Sequence, residues 1–214
     1  MRHKFYLFLI VTVLFTSCND ESERLQKHLT NIHSSKNSLE EEPSIKKIDT
    51  TQKIPAKEYL FKFEDLNHQT STITMKDDFY NFSNIKQSIV IVTLFSTWCP
   101  PCRGQIPHLS NLQKKFKENL FVLGGLVHDD IKDEMLKKFI ISENILFFIS
   151  NNQKENLAFA DMITPKLGLN KDFPMPLMIL FFKGKYFTHY EGSMPEEMIE
   201  SDIEQLLIKI KKGQ

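Results

Sequence analysis

The sequence predicts an α/β chain in which helices cover both faces of a mixed sheet, a three-layer sandwich. Three observations carry this. Ile89 to Phe95 is an unbroken apolar run, as expected of a strand buried on both faces. After it, apolar runs of strand length alternate with amphipathic stretches of helix length. Near the C-terminus, two strand-like runs joined by Lys183-Gly184 read as an antiparallel hairpin, and an amphipathic helix closes the chain.

Taken in order, Tyr59 to Glu64 alternates as a strand does, Asp65 to His68 reads as a turn, and Thr70 to Met75 as the returning strand. Asp78 to Asn84 reads as a short helical turn with Phe79 and Phe82 inward. The buried strand 89–95 follows. Cys102 to Glu118 reads as a helix marked by Ile106, Leu109, Leu112, Gln113 and Phe116, which Pro107 would kink or deprive of one hydrogen bond. Leu120 to Val127 is the next strand, and Gly124-Gly125 within it either weakens it or permits a close approach. Asp129-Asp130 is placed to cap a helix over 131–140. Ile145 to Ile149 reads as a strand, Glu155 to Leu167 as a helix stopped by Gly168, Leu177 to Phe182 and Tyr186 to Tyr190 as the hairpin. Pro195-Glu196-Glu197 opens the last helix, which runs to Ile210 on a stripe of Met198, Ile199, Ile203, Leu206, Leu207 and Ile210.

The chemistry concentrates in Trp98-Cys99-Pro100-Pro101-Cys102, between the buried strand and the helix. A Cys-x-x-Cys at the mouth of a helix is how a redox-active dithiol is built. Disulfide exchange needs a thiolate in line with a sulfur–sulfur bond. Cys99, at or just before the first turn, meets unpaired backbone N–H groups and the positive end of the helix, which predicts a thiol pKa below the usual value of about 8.5. Cys102, one turn in and more buried, is the expected resolving thiol. Pro100 and Pro101 suit a first turn, where a missing N–H costs little, and Pro101 withholds one donor from the thiolate, which predicts a reducing potential. A structural disulfide or two inert core thiols is the plain alternative. Trp98 is expected to shield one side of the sulfurs, or to sit as a partly buried core aromatic. Arg103 and His128 are expected at the surface.

The first eighteen residues have another logic. A basic start, Met1-Arg2-His3-Lys4, precedes an apolar run from Phe5 to Phe15 broken by Thr12, then Thr16-Ser17-Cys18. This is the pattern of an export signal, and the run is shorter than the roughly 20 residues of a membrane span. The ending resembles the lipobox of bacterial lipoproteins, although Phe15 stands where Leu is usual. The expectation is a signal peptide over 1–17, cleavage before Cys18, and lipid on Cys18 that anchors the chain to a membrane. An ordinary signal peptide and an uncleaved anchor are the alternatives. Residues 18–57 are polar, with a weakly amphipathic stretch at 21–33, and read as a lipidated tether. Residues 58–214 form one redox domain, long enough for one good core.

Composition narrows the function. Lys plus Arg equals Asp plus Glu at 27 each, so nothing points to a nucleic-acid partner. Three cysteines exclude a disulfide-stapled fold and leave the 99/102 pair without the second pair usual at structural zinc; His108 and His128 complete a site only on paper. No metal or cofactor is expected. Eighteen phenylalanines against seven glycines predict a Phe-rich core.

Ser96 to Arg103, with Ile106-Pro107-His108-Leu109 behind it, resembles the TlpA/ResA branch of the thioredoxin superfamily. The resemblance runs from about Tyr59 to Ile210. Phe63 to Asn67 is similar to the N-terminal hairpin of that branch, and Pro176 to Gly184 to the superfamily's cis-proline, apolar strand and Lys-Gly turn. The resemblance implies a thioredoxin-like sandwich with an added N-terminal β-hairpin and an extracytoplasmic, membrane-tethered thiol–disulfide oxidoreductase. It implies Cys99 and Cys102 as the catalytic pair, and a cis Pro176 beside them that presents the Met175 backbone to an extended substrate. It further implies exported proteins with disulfides as substrates, apocytochrome c among them, and a membrane thiol-electron transporter as reductant. Run the other way the site would be a disulfide-forming oxidase; with inert thiols the fold would be a binding platform. Three departures stand out: Gln105 and Thr93 occupy positions where the family carries carboxylates, and Met175 stands where the branch usually has Thr.

Overall fold

In the computed structural model, residues 57–213 are described. The signal segment, Cys18, the tether and the 21–33 stretch lie outside these residues. The strands are β1 (Tyr59–Glu64), β2 (Thr70–Lys76), β3 (Phe79–Phe82), β4 (Ile89–Phe95), β5 (Leu120–Leu126), β6 (Phe148–Ser150), β7 (Leu177–Phe182) and β8 (Lys185–Glu191). The helices are α1 (Pro100–Lys115), α2 (Asp133–Ser142), α3 (Gln153–Lys166) and α4 (Glu196–Lys211).

One sheet has the order β1-β2-β3-β8-β7-β4-β5-β6. Strands β4, β5 and β6 are parallel, and β7 runs antiparallel between β4 and β8. The fully apolar β4 is central, and all seven of its residues are buried. On one face α1, α2 and α4 contribute Ile106, Leu109, Leu112, Leu136, Ile199, Ile203 and Leu206 to the core. On the other, α3 and the β1–β2 hairpin bring Phe61, Phe63, Phe159 and Ile163 against β4, β5 and β7. Each such side chain, once buried, contributes roughly 1.5–3 kcal/mol. The phenylalanines interlock there: Phe159 meets Phe61 and Phe63 edge-on, at centroid distances of 5.5 and 5.6 Å.

Gly124 and Gly125 serve close approach. A Cβ on Gly124 would lie 2.7 Å from Ile149 Cδ1, and one on Gly125 would lie 3.1 Å from Phe63 Cε1. The hairpin end is also tied across to β6, where the Glu64 N–H donates to Ser150 Oγ and the Asn151 N–H to the Glu64 carbonyl, both at 3.1 Å.

Several expectations need correction. Residues 79–82 are a strand, not a helical turn: Tyr80 is the buried residue and Phe79 is exposed, because β3 pairs with β2 and turns its Tyr80 side inward. Helix α1 starts at Pro100, since both prolines occupy its first turn. It remains one helix through Pro107 and stops at Lys115. Helix α2 starts at Asp133 with Lys132 at its N-cap and no side-chain cap, so Asp129-Asp130 does not cap it. Strand β6 is shorter and later than the apolar run 145–149. Helix α3 begins at Gln153, capped by Asn152, whose side chain accepts from the Glu155 N–H. Met198 points outward from α4. Among the described residues, no helix is long and apolar enough to cross a membrane.

Candidate active site

The C-terminal ends of the parallel strands β4 and β5 face the start of β7 and the end of β8. Open α/β sheets present their sites at such strand ends. Cys99 follows β4 as the N-cap of α1, in extended conformation at φ −84°, ψ 112°. Its Sγ accepts the Cys102 N–H at 3.3 Å. Cys99 and Cys102 are joined as a disulfide across a Cα–Cα distance of 5.2 Å. Both cysteines are buried, Cys102 at 1% exposed and Cys99 at 5%. Pro100 and Pro101 are exposed at the first two helical positions.

The Met175–Pro176 bond is cis. Cys99 Sγ lies 3.8 Å from the Met175 carbonyl oxygen; within a disulfide this sulfur has no hydrogen to donate, so the approach is a contact. The Met175 thioether turns inward to the Ser96 hydroxyl at 3.6 Å.

A second frame holds the segment before the dithiol. The Ser96 hydroxyl donates to the Val127 carbonyl, the Thr97 N–H to Asp129 Oδ2 at 2.5 Å, and the Trp98 indole N–H to the His128 carbonyl at 2.9 Å. Trp98 is 61% exposed, which overturns the core-aromatic expectation: its ring is pinned at the nitrogen and otherwise faces solvent. His128 is exposed, in the left-handed region at φ +52°.

A third frame comes from the loop after β8. The Gly192 N–H donates to the Pro176 carbonyl at 2.9 Å, the Ser193 hydroxyl to the Pro101 carbonyl at 2.9 Å, and the Met194 N–H to Gln105 Oε1 at 2.7 Å. Three consecutive residues thus bind the proline loop and the dithiol helix together.

The two departures from the family's carboxylates are buried. Among the described residues, Thr93 Oγ1 and Gln105 Nε2 are the buried side-chain atoms without a hydrogen-bond partner. Arg103 is at the surface as expected, but its guanidinium pairs with Glu143 at 2.5 Å. His108 pairs with Glu196 at 3.1 Å. Among the described residues, no three His, Cys, Asp or Glu side chains gather as metal ligands would.

Asp129 and the 192–194 loop escaped the sequence reading. The signal for Asp129 was its position just past an apolar strand, which also suits a helix cap. Nothing local marks Gly192-Ser193-Met194, because their partners lie far away in sequence.

The AhpC/TSA family model matches residues 60–164. Thiol-disulfide oxidoreductase ResA of Bacillus thuringiensis (strain Al Hakam) is 23% identical over 124 residues, 58% of this chain. That match spans 66% of the relative, just under two thirds of its length. Thioredoxin-like protein YneN of Bacillus subtilis (strain 168) is 21% identical over 136 residues, 61% of this chain and 72% of the relative. Among solved structures, a thiol:disulfide interchange protein of the thioredoxin family from Chlorobium tepidum TLS superposes with a TM-score of 0.53 at 19% identity, over 72% of this chain and 94% of that one. One from Bacteroides sp. gives 0.52 at 18%, over 73% and 91%. At these identities the structural likeness establishes a thioredoxin-like fold.

Proposed function

We propose that this chain, whose fold is thioredoxin-like and whose residues 60–164 match the AhpC/TSA family model, is an extracytoplasmic, lipid-anchored thiol–disulfide oxidoreductase that reduces disulfides in exported proteins. The observation that carries the reading is the Cys99–Cys102 disulfide at the start of α1, with Cys99 at the helix N-cap. The first-turn N–H of Cys102 already points at Cys99 Sγ, and the helix's positive end lies behind it, so a negative charge on that sulfur is stabilised.

In the reduced protein, the Cys99 thiolate attacks one sulfur of a client disulfide. The client's other sulfur leaves as a thiolate and takes up a proton. Cys102 then gives up its proton and attacks Cys99 Sγ in the mixed disulfide, releasing the second client thiol. Two electrons have passed to the client, and the 99–102 disulfide has formed. A membrane thiol-electron transporter returns the pair to the dithiol by the same exchange in reverse. Exported apoproteins with closed disulfides are the client class, apocytochrome c among them. Exposed Trp98, Pro100 and Pro101 form the apolar surface that meets the client, and the Met175 backbone before the buried Pro176 is presented to it. Lipid on Cys18 holds the domain at the membrane.

Insulin reduction by wild type and Cys99→Ser tests the enzyme; equal turnover ends this reading. Acid quench and mass-tagging of thiols in growing cells test its direction. A largely reduced pair supports a reductase, and a fully oxidised pair an oxidase. An intact mass with an unmodified Cys18 removes the anchor.

A further inference from the structure

The geometry points to Asp129 as a positioning residue for the dithiol, acting through the Thr97 N–H on the segment that carries Trp98 and Cys99. The inference deepens the oxidoreductase reading and rests on it.

Asp129 is 5% exposed, and among the described residues no cation lies within ion-pair distance of its carboxylate. A buried, unpaired carboxylate is costly unless hydrogen bonds compensate it. A bond to an ionised acceptor is roughly twice as strong as a neutral one. Here that bond goes to a backbone donor two residues before Cys99. The backbone of Asp129 is held from behind, since its N–H donates to Gln153 Oε1 at 3.2 Å, on the first residue of α3.

Its neighbours act on the same segment. The Val127 N–H donates to the Phe95 carbonyl at 3.0 Å, the Val127 carbonyl accepts from Ser96, and the His128 carbonyl accepts from the Trp98 indole. The strained left-handed backbone of His128 is a cost that L-residues usually avoid. In this bend Asp129 reaches Thr97 while the preceding carbonyl meets Trp98. Residues 127–129 therefore grip residues 95–98 by four hydrogen bonds, and Asp129 supplies the one made by a charged group. Small displacements of a reacting group cost large factors in rate, and Cys99 is the first residue past this grip.

Trp98 is the sole tryptophan, so its emission reports the grip directly. The test compares full-length wild type, Asp129→Ala and Asp129→Asn, reading Trp98 anisotropy, insulin-reduction kcat and KM, and melting temperature. Asparagine keeps an acceptor for Thr97; alanine has none. The expected result is that Asp129→Ala lowers Trp98 anisotropy and lowers kcat by about tenfold or more, and that Asp129→Asn recovers most of both. If Asp129→Ala does not fold, Gln153→Ala, which frees the Asp129 N–H, gives a smaller change in the same direction. Wild-type anisotropy and kcat in a folded Asp129→Ala or Gln153→Ala protein overturn the proposal. So does an Asp129→Asn protein as impaired as Asp129→Ala. Anisotropy needs no client, so the strut is still read if insulin reduction proves independent of Cys99, the outcome that ends the oxidoreductase reading alone.

Discussion

Gln105 Oε1 accepts the Met194 backbone N–H at 2.7 Å, and so joins the dithiol helix to the loop that also binds the Pro176 carbonyl. The amide is buried, and its Nε2 is left without a partner. A neutral side chain in this place is compatible with a dry site. Gln105→Glu keeps the acceptor but adds a carboxyl with no cation to meet it. Desolvation raises the folded-state pKa of that carboxyl above its unfolded value near 4.3. A raised pKa leaves stability intact below the unfolded value and removes it as pH rises through the folded one. The variant should match wild type near pH 4 and lose about 2–4 kcal/mol by neutral pH, as denaturant midpoints at the two pH values will read.

Tyr190 supplies a pH dependence at the other end of the scale. Its hydroxyl donates to Asp202 Oδ2 at 2.6 Å, and burial first, then that carboxylate, pushes its pKa well above the usual value of 10. The stabilisation is full below pH 10 and is lost as pH rises above it toward the folded-state value. Tyr190→Phe should cost about 1–2 kcal/mol near pH 8, and this difference should shrink in urea melts above pH 10.

Gly184 is required by its turn. It sits at φ +75°, and a Cβ there would lie 2.7 Å from the Tyr80 carbonyl oxygen and 2.6 Å from the Phe79 ring. Gly184→Ala should destabilise by about 2–4 kcal/mol, combining a left-handed backbone with overpacking. Since β3 meets β8 at the Phe79–Lys185 pair, hydrogen exchange should rise first at Tyr80, whose N–H donates to the Gly184 carbonyl.

Cys102→Ala leaves Cys99 able to attack but without a thiol to resolve the mixed disulfide. Multiple-turnover reduction should fall at least about a hundredfold, while client proteins accumulate on Cys99 as adducts that dithiothreitol releases. Gel shifts in non-reducing buffer will read this, and a variant that turns over normally without adducts would remove Cys102 from the mechanism.

Much of the fold was legible because its signals are local. The apolar run of β4, the stripe of α4 and the Lys183-Gly184 turn each carry their own periodicity or backbone preference. Strand β3 was not legible: four residues with two phenylalanines fit a helical turn as well as a strand, and pairing with β2 decided between them. Asp129 was read as a cap because an acid after a strand and before a helix suits that role. In the folded chain its carboxylate goes to the Thr97 N–H, and α2 begins four residues later.

By itself the sequence determined the α/β class, the burial of β4, the two hairpins, and the placing of Cys99 and Cys102 at the mouth of a helix. Those follow from side-chain period and from residues whose backbone preferences act within a few positions. The tertiary structure alone decided what surrounds the sulfurs: the inward Met175 thioether, the exposed yet tethered Trp98, the Asp129 strut, and the 192–194 loop bound to Pro176, Pro101 and Gln105. The physical reason is that a buried hydrogen-bonding group must find a partner, and here most of the partners lie tens of residues away, brought close only when the sheet assembles.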